Sequence, residues 1–374
     1  MIYIFCWILN YILLLVSRFT RRKRLAAGLV ILVLGSLVVL RGRVGADTGI
    51  VYESMAKELM AGGTTEPLFA GLLIAMVLLF PTPLLAVTMG IGSIFVLTLF
   101  LYVRRADDRE LFILQGFLIP AFFWGLSISG QRYGLAFAFL LLVMQSVRLK
   151  QFKWAVAFSV IAILIHYSSV LFLVLWGAMI LKISRTVYLR FLGGFAVVSV
   201  LLVTFASEHF EEKLLLYFGS DYTAPSSWSG LSNILITMML LAGIVLGSLE
   251  RAVKTRVVVV CLVGLLGSVI VTQFSYGGLR LLGIVETAVV YAALALYEKF
   301  NSPFKVKIAS MILLAGLLGA VGTYRNMLDE DRVLDFPGRS LPYKFFWQEE
   351  INESSLRSWQ ISVWRCVTRG GHRV

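Results

Sequence analysis

Charge, cysteine and nucleotide-binding signatures are all scarce in this chain, and each scarcity removes a class of function. Of 374 residues only 15% are charged while 59% are hydrophobic, and the mean hydropathy is +0.87. A soluble globule would have to expose far too much apolar surface, so the chain reads as an integral membrane protein. The three cysteines, Cys6, Cys261 and Cys366, are far apart and two lie in apolar runs. That spacing offers neither a disulfide framework nor a metal-ligand pattern, so redox and zinc chemistry are not expected. There is no Walker A sequence, no Gly-rich dinucleotide loop and no Asp-Gly calcium loop, and no cofactor is expected. The apolar runs are helix-length and lack the roughly ten-residue alternation of a membrane barrel. An all-α, polytopic helical bundle follows.

What is present is base, and its placement sets the topology. The net charge of +13 has its densest cluster at Arg18, Arg21, Arg22, Lys23 and Arg24, which the positive-inside rule assigns to the cytoplasm. This is a topology signal and not a nucleic-acid patch. Residues 2–17 form a first spanning helix and not a signal peptide, because no small-residue cleavage site precedes Arg18. Helix two covers about 25–40. Keeping the later basic loops inside (Arg104-Arg105; Arg148, Lys150 and Lys153; Lys182 to Arg190; Arg251 to Arg256; Lys299 to Lys307) predicts spans near 84–103, 111–127, 130–147, 153–166, 168–181, 190–206, 231–249, 257–275, 279–297 and 308–323. With the first two these make about twelve crossings. Residues 67–80 would span only about 21 Å as a helix, too short for the hydrocarbon core, and read as re-entrant or interfacial. Residues 1–323 are thus a transmembrane bundle with external loops 41–66 and 207–230, and 324–374 a polar tail.

Three ionisable residues interrupt this bundle where they are costly, and such residues mark functional sites. Arg132 opens an inward-going helix after Ser127-Ile-Ser-Gly130-Gln131, and Arg280 does so after Tyr276-Gly-Gly278-Leu279. Each combines a guanidinium fork with a helix amino terminus, which is anion-binding geometry suited to a diphosphate; the alternative is an arginine that snorkels to the headgroups. His166, in Ile165-His166-Tyr167-Ser168-Ser169, stays inside the external group only if 153–181 folds as a tight pair with His166 at its corner. There it is either a packing histidine or a general base towards a hydroxyl. In the first loop, Val51, Met55, Leu59 and Met60 describe a short amphipathic surface helix with Asp47 or Thr48 as its N-cap. Arg41 and Arg43 break positive-inside, which predicts pairing with Asp47 or Glu66, or phosphate binding. Asp221, Tyr222 and Trp228 in the second loop, and Tyr343 and Trp347 in the tail, are surfaces for sugar rings or members of an interfacial aromatic belt.

These stretches in order, Arg43-Val-Gly-Ala-Asp47-Thr48 with Tyr52, Glu66-Pro67-Leu-Phe69, Arg132-Tyr-Gly-Leu-Ala136, His166-Tyr-Ser168, Leu279-Arg280-Leu281 and Leu341-Pro342-Tyr343, resemble the EpsG-type branch of the Wzy-like bacterial polysaccharide polymerases, which assemble O-antigen, exopolysaccharide and capsule. The resemblance implies a metal-independent glycosyl transfer on the outer face of the bacterial inner membrane. An undecaprenyl-diphosphate-linked glycan is the donor and a second lipid-linked repeat supplies the hydroxyl. It implies membrane lipid and a chain-length regulator protein as partners, and no nucleic acid. Within it, Arg132, Arg280, Arg41 and Arg43 are expected on the diphosphate, and Tyr52, Asp221, Tyr222, Trp228 and Tyr343 on the glycan. His166, Asp47 and Glu66 compete for the role of base. A lipid-linked oligosaccharide flippase is the main rival, although the internal repeat such a carrier would show is not found. A membrane acyltransferase is the other. A polymer-to-lipid ligase is the nearest neighbour within the favoured class.

Overall fold

The computed structural model describes residues 1–20, 22–45, 48–60, 65–180, 230–246, 250–272, 277–296, 306–333 and 343–348. Among them the chain is helical throughout: α1 (Ile2–Thr20), α2 (Lys23–Leu40), α3 (Glu53–Met60) after a π-turn at Thr48–Tyr52, α4 (Pro67–Leu79), α5 (Pro83–Arg105), α6 (Asp108–Ser129), α7 (Gln131–Arg148), α8 (Phe152–Ile165), α9 (Ser169–Ile180), α10 (Leu231–Leu246), α11 (Arg251–Thr272), α12 (Gly277–Leu296) and α13 (Val306–Val333). Every span expected from the sequence within these residues coincides with a helix; the one expected at 190–206 lies outside them. Six helices are long and apolar enough to cross a bilayer: α1, α2, α5, α6, α11 and the Ile308–Leu328 stretch of α13. The apolar α4, α8, α9 and α10 are shorter. The protein is an all-α, multi-pass membrane protein.

Two differences from the expected boundaries have local causes. Helix α13 runs to Val333, past residue 323, because the polar stretch from Tyr324 contains no proline or glycine before Pro337 to stop it. Helix α4 is 13 residues long and begins with Pro67 at its first turn, which leaves Glu66 as its N-cap residue. Proline suits that position, since its missing N–H would have no helical partner. The chain does break at His166, which is extended (φ −154°, ψ 112°) at the end of α8. The expected pair of helices meeting at this residue is therefore present.

The chain divides into two compact units, residues 1–170 with 312–374, and residues 171–311. In the first unit α6 is the centre: 89% of its apolar window is buried, against 33% for α1 and 39% for α2. Helix α7 is likewise buried nearly all round from Gly134 to Ser146, as a helix apolar on every side must be. Gly134 allows α7 to approach α6, since a Cβ there would lie 2.1 Å from the Leu126 carbonyl oxygen. Asn10 of α1 donates to the Gln115 carbonyl at 2.6 Å and Thr323 of α13 to the Ala121 carbonyl at 2.7 Å, both on α6. These carbonyls belong to or flank the π-turn Leu114–Leu118, where the widened ladder leaves main-chain acceptors to be satisfied from outside the helix.

Three of the basic segments expected on one side, at Lys23-Arg24, Arg105 and Arg148, meet at one end of this unit. Lys23 pairs with Asp108, Arg24 donates to the Ala106 carbonyl at 3.2 Å, and Arg148 donates to the Arg105 carbonyl at 3.1 Å. Asp107 caps α6 with a capping box completed by Glu110. Arg148 grips Glu110 through Nε–Oε1 and Nη2–Oε2, both 2.9 Å. In the second unit α11 packs on α12, with Gly264 opposite Val285. Asn233 of α10 donates to the buried Glu286 of α12 at 3.2 Å.

Candidate functional site

At the other end of the first unit, four segments converge that are far apart in the chain. Their centre is Glu66, whose side chain is 1% exposed. Its Oε2 receives Arg132 Nη1 at 2.7 Å and the Thr65 hydroxyl at 2.7 Å, while its Oε1 faces His166 Nδ1 at 3.3 Å. One carboxylate thus joins the start of α4, the start of α7 and the corner after α8. Pro67 fixes this placement by starting the helix immediately after Glu66, and the positive end of α4 favours a negative charge there. Burial of a carboxylate is tolerated because both of its oxygens are engaged and one partner is a permanent cation.

Aromatic rings wall the cluster. The Arg132 guanidinium lies 5.9 Å from the Phe69 ring centre, and Tyr133 packs edge-on to His166 at 5.7 Å. Tyr52 is buried, and its hydroxyl accepts from the main-chain N–H of Arg132 at 3.2 Å. The N–H at this helix start is therefore taken by a protein group, contrary to the expectation of free donors. The guanidinium is held through Nη1 by Glu66 and Thr65, and its side chain is 20% exposed. Beside the corner, burial and then the Glu66 charge both push the Tyr167 hydroxyl pKa up, so it stays protonated at neutral pH.

The first loop is fastened against this cluster. Gly45 adopts φ +98° and passes so close to Ile128 that a Cβ would clash at 2.2 Å. Thr48, one of the two expected caps, instead donates its hydroxyl to the Ile128 carbonyl at 3.0 Å, in the last π-turn of α6. Arg43 pairs with Glu53, Nε–Oε2 and Nη2–Oε1 both at 3.2 Å, a partner ten residues on that the turn into α3 brings back; Asp47, one of its two expected partners, lies outside the described residues. Arg41 is wholly buried, donating from Nη1 to the Val38 carbonyl at 2.6 Å. Burial pulls its pKa down to about 10, against the opposing effect of Tyr343, Tyr3 and Tyr52, so it is still charged at neutral pH.

Of the other expected residues, Arg280 is exposed on the first turn of α12 in the second unit. Tyr343 is half-buried and its hydroxyl donates to the Leu37 carbonyl. Asp47, Asp221, Tyr222 and Trp228 lie outside the described residues. Sequence reasoning did not pick out Thr65, Phe69 or Tyr133 as parts of the cluster, although each adjoins or nearly adjoins a residue that was picked out. Nor did it foresee that Glu66, Arg132 and His166 form one bonded unit.

A family model matches residues 24–333, a span that takes in the whole cluster. The chain belongs to the EpsG family. No curated protein and no solved structure matches it. EpsG-family membership and the apolar helices together fit a multi-pass membrane protein with a polysaccharide-polymerase type of function.

Proposed function

We propose that this protein lengthens a polysaccharide by transferring a growing glycan from undecaprenyl diphosphate to a hydroxyl of a second lipid-linked repeat, at the external face of the bacterial inner membrane. The observation that carries the reading is the bonded series Arg132–Glu66–His166. A carboxylate on Nδ1 of a histidine fixes ring orientation and tautomer and stabilises the imidazolium once it forms. His166 is then the general base, acting through Nε2. In the step proposed, the acceptor oxygen attacks the anomeric carbon as its proton passes to His166 Nε2. The anomeric C–O bond breaks and its electron pair leaves with the lipid diphosphate. Negative charge grows on that leaving group, where preorganised cations lower the barrier. Arg132 meets this need with the part of its fork that Glu66 does not use. Glu66 is a positioning residue in this scheme and His166 is the base; the third candidate, Asp47, lies outside the described residues. The step as written needs no metal. Arg280 is a separate candidate for the diphosphate. The glycan contacts and a chain-length regulator protein as partner rest on the family resemblance alone.

The test is incubation of the purified full chain, in lipid nanodiscs, with candidate undecaprenyl-diphosphate oligosaccharides. A ladder of products differing by one repeat is expected, and it fails with His166→Ala. Glycan unchanged in length but moved across the bilayer would establish a carrier instead. Cytoplasmic labelling of Ser168→Cys, a part-exposed position beside His166, would remove His166 from the external face.

A further inference from the structure

The cation at Arg41 is unexplained by the transfer step. Its side chain is 0% exposed, and among the described residues Nε and Nη2 have no hydrogen-bond partner. A buried charge without a counter-charge is expensive, and the cost of an unmatched guanidinium is recovered when an anion arrives. The nearby groups are phenols: Tyr3, Tyr52 and Tyr343 all act electrostatically on Arg41. Tyr52 is also the acceptor for the Arg132 N–H, so one phenol is shared between the surroundings of both arginines.

A short piece of the tail is fastened to the main chain at and beside Arg41. Phe345 forms an isolated antiparallel bridge with Arg41, the Lys344 carbonyl accepts from Gly42 N–H at 2.9 Å, and Tyr343 donates to the Leu37 carbonyl. The Tyr343 ring meets Tyr3 at 6.1 Å and Phe345 at 5.2 Å, and Phe345 stacks on Trp347 at 4.5 Å. The strap is thus one bridge long and held by main-chain and aromatic contacts. Lys344 makes no ion pair among the described residues. A strap of this size can lift without unfolding the helices beneath it.

We infer that Arg41 is a second, covered phosphate site, which the strap Tyr343–Phe345 exposes to the diphosphate of the lipid-linked donor. This deepens the polymerase reading and rests on it for the identity of the lipid. Its physical content is a switch: the strap satisfies Leu37 and Gly42 when closed, and a diphosphate satisfies Arg41 when it is open. Ligand binding can shift this balance because the anion interacts with the open state alone.

The test uses full-length protein in phosphatidylcholine nanodiscs, with Cys366→Ser and spin labels at Glu58→Cys and Lys344→Cys, both exposed positions. Undecaprenyl diphosphate should lengthen the label separation, and Arg41→Ala should abolish the change. Tyr343→Phe deletes the Leu37 bond and should tighten binding of undecaprenyl diphosphate by about threefold, since a looser cover lowers the conformational cost of binding. A purely structural arginine predicts the opposite, weaker binding or none of this coupling. An unchanged separation at saturating lipid overturns the inference, as does weaker binding by Tyr343→Phe. Equal lengthening with phosphatidylglycerol in place of undecaprenyl diphosphate overturns it too, because the site would then take any anionic headgroup. These measurements need no turnover. A missing product ladder would end the polymerase reading while leaving a strap response to the lipid diphosphate standing.

Discussion

Helix α7 carries an arginine near each end, and each arginine holds a glutamate, yet the two pairs are built differently. At the carboxyl end, Arg148 and Glu110 meet fork to fork at 2.9 Å twice, with further bonds from Arg148 to the Arg105 carbonyl and from the Asp107 N–H to Glu110. At the amino end, Arg132 reaches Glu66 with Nη1, and the other carboxylate oxygen is turned to His166. A fork-to-fork pair spends its donors and acceptors on itself and fixes geometry. A shared carboxylate instead sets a cation and an imidazole side by side, which is what proton transfer beside a charged leaving group requires. The same two residue types thus make a clasp at one end and candidate chemistry at the other.

The comparison breaks first at His166. His166→Ala should lower repeat-unit transfer by about 10²–10⁴-fold, the usual contribution of a positioned base, with the unfolding temperature little changed. If it unfolds the protein without a specific loss of rate, the amino end is a clasp as well. Glu66→Gln should come next, at about a hundredfold in rate, towards the lower end of the same range. It keeps the shape of the side chain while removing the charge that stabilises the imidazolium. Glu110→Ala should reverse the pattern: stranding Arg148 costs about 3–5 kcal/mol of stability, measured by denaturant titration, while the folded fraction keeps its turnover. Arg148→Lys sharpens the same point, losing about 1 kcal/mol because an ammonium cannot replace a planar fork. The smallest effect is expected at the exposed Arg280. Arg280→Ala should leave stability within about 0.5 kcal/mol and weaken donor binding; unaltered donor binding would return Arg280 to the role of headgroup anchor.

The sequence made the helical plan legible because a membrane span has few solutions, and the basic loops carry its direction. The corner at His166 is the clearest case: a single helix from 153 to 181 would have put Lys182, Arg185 and Arg190 on the wrong side, and the chain does turn there. The arginine at the start of α7 was legible for the same reason. Its partner was not, because Glu66 and Arg132 are 66 positions apart and are brought together only when α4 and α7 have both docked. Arg43 illustrates the limit from the other direction. Asp47 and Glu66 were the obvious acids, and the turn into α3 returns a third, Glu53, to it. The bridge between Arg41 and the tail had no local signature, since its partner Phe345 comes some three hundred residues later.

The two ends of α7 together have a mechanical meaning. Eighteen residues at 1.5 Å each make a rod about 27 Å long, anchored to α6 and α5 through Arg148 and to α4 through Arg132. Sliding it by one helical turn, about 5.4 Å, would pull both anchors out of register at once. The rod therefore behaves as a fixed gauge between the two clusters at its ends, and the close seat of Gly134 on Leu126 opposes its rotation. A carrier that exposes its cargo alternately to two sides must let some such element tilt or slip. Here the element bearing Arg132 is pinned, and that rigidity suits a stationary anvil on which successive sugars are joined.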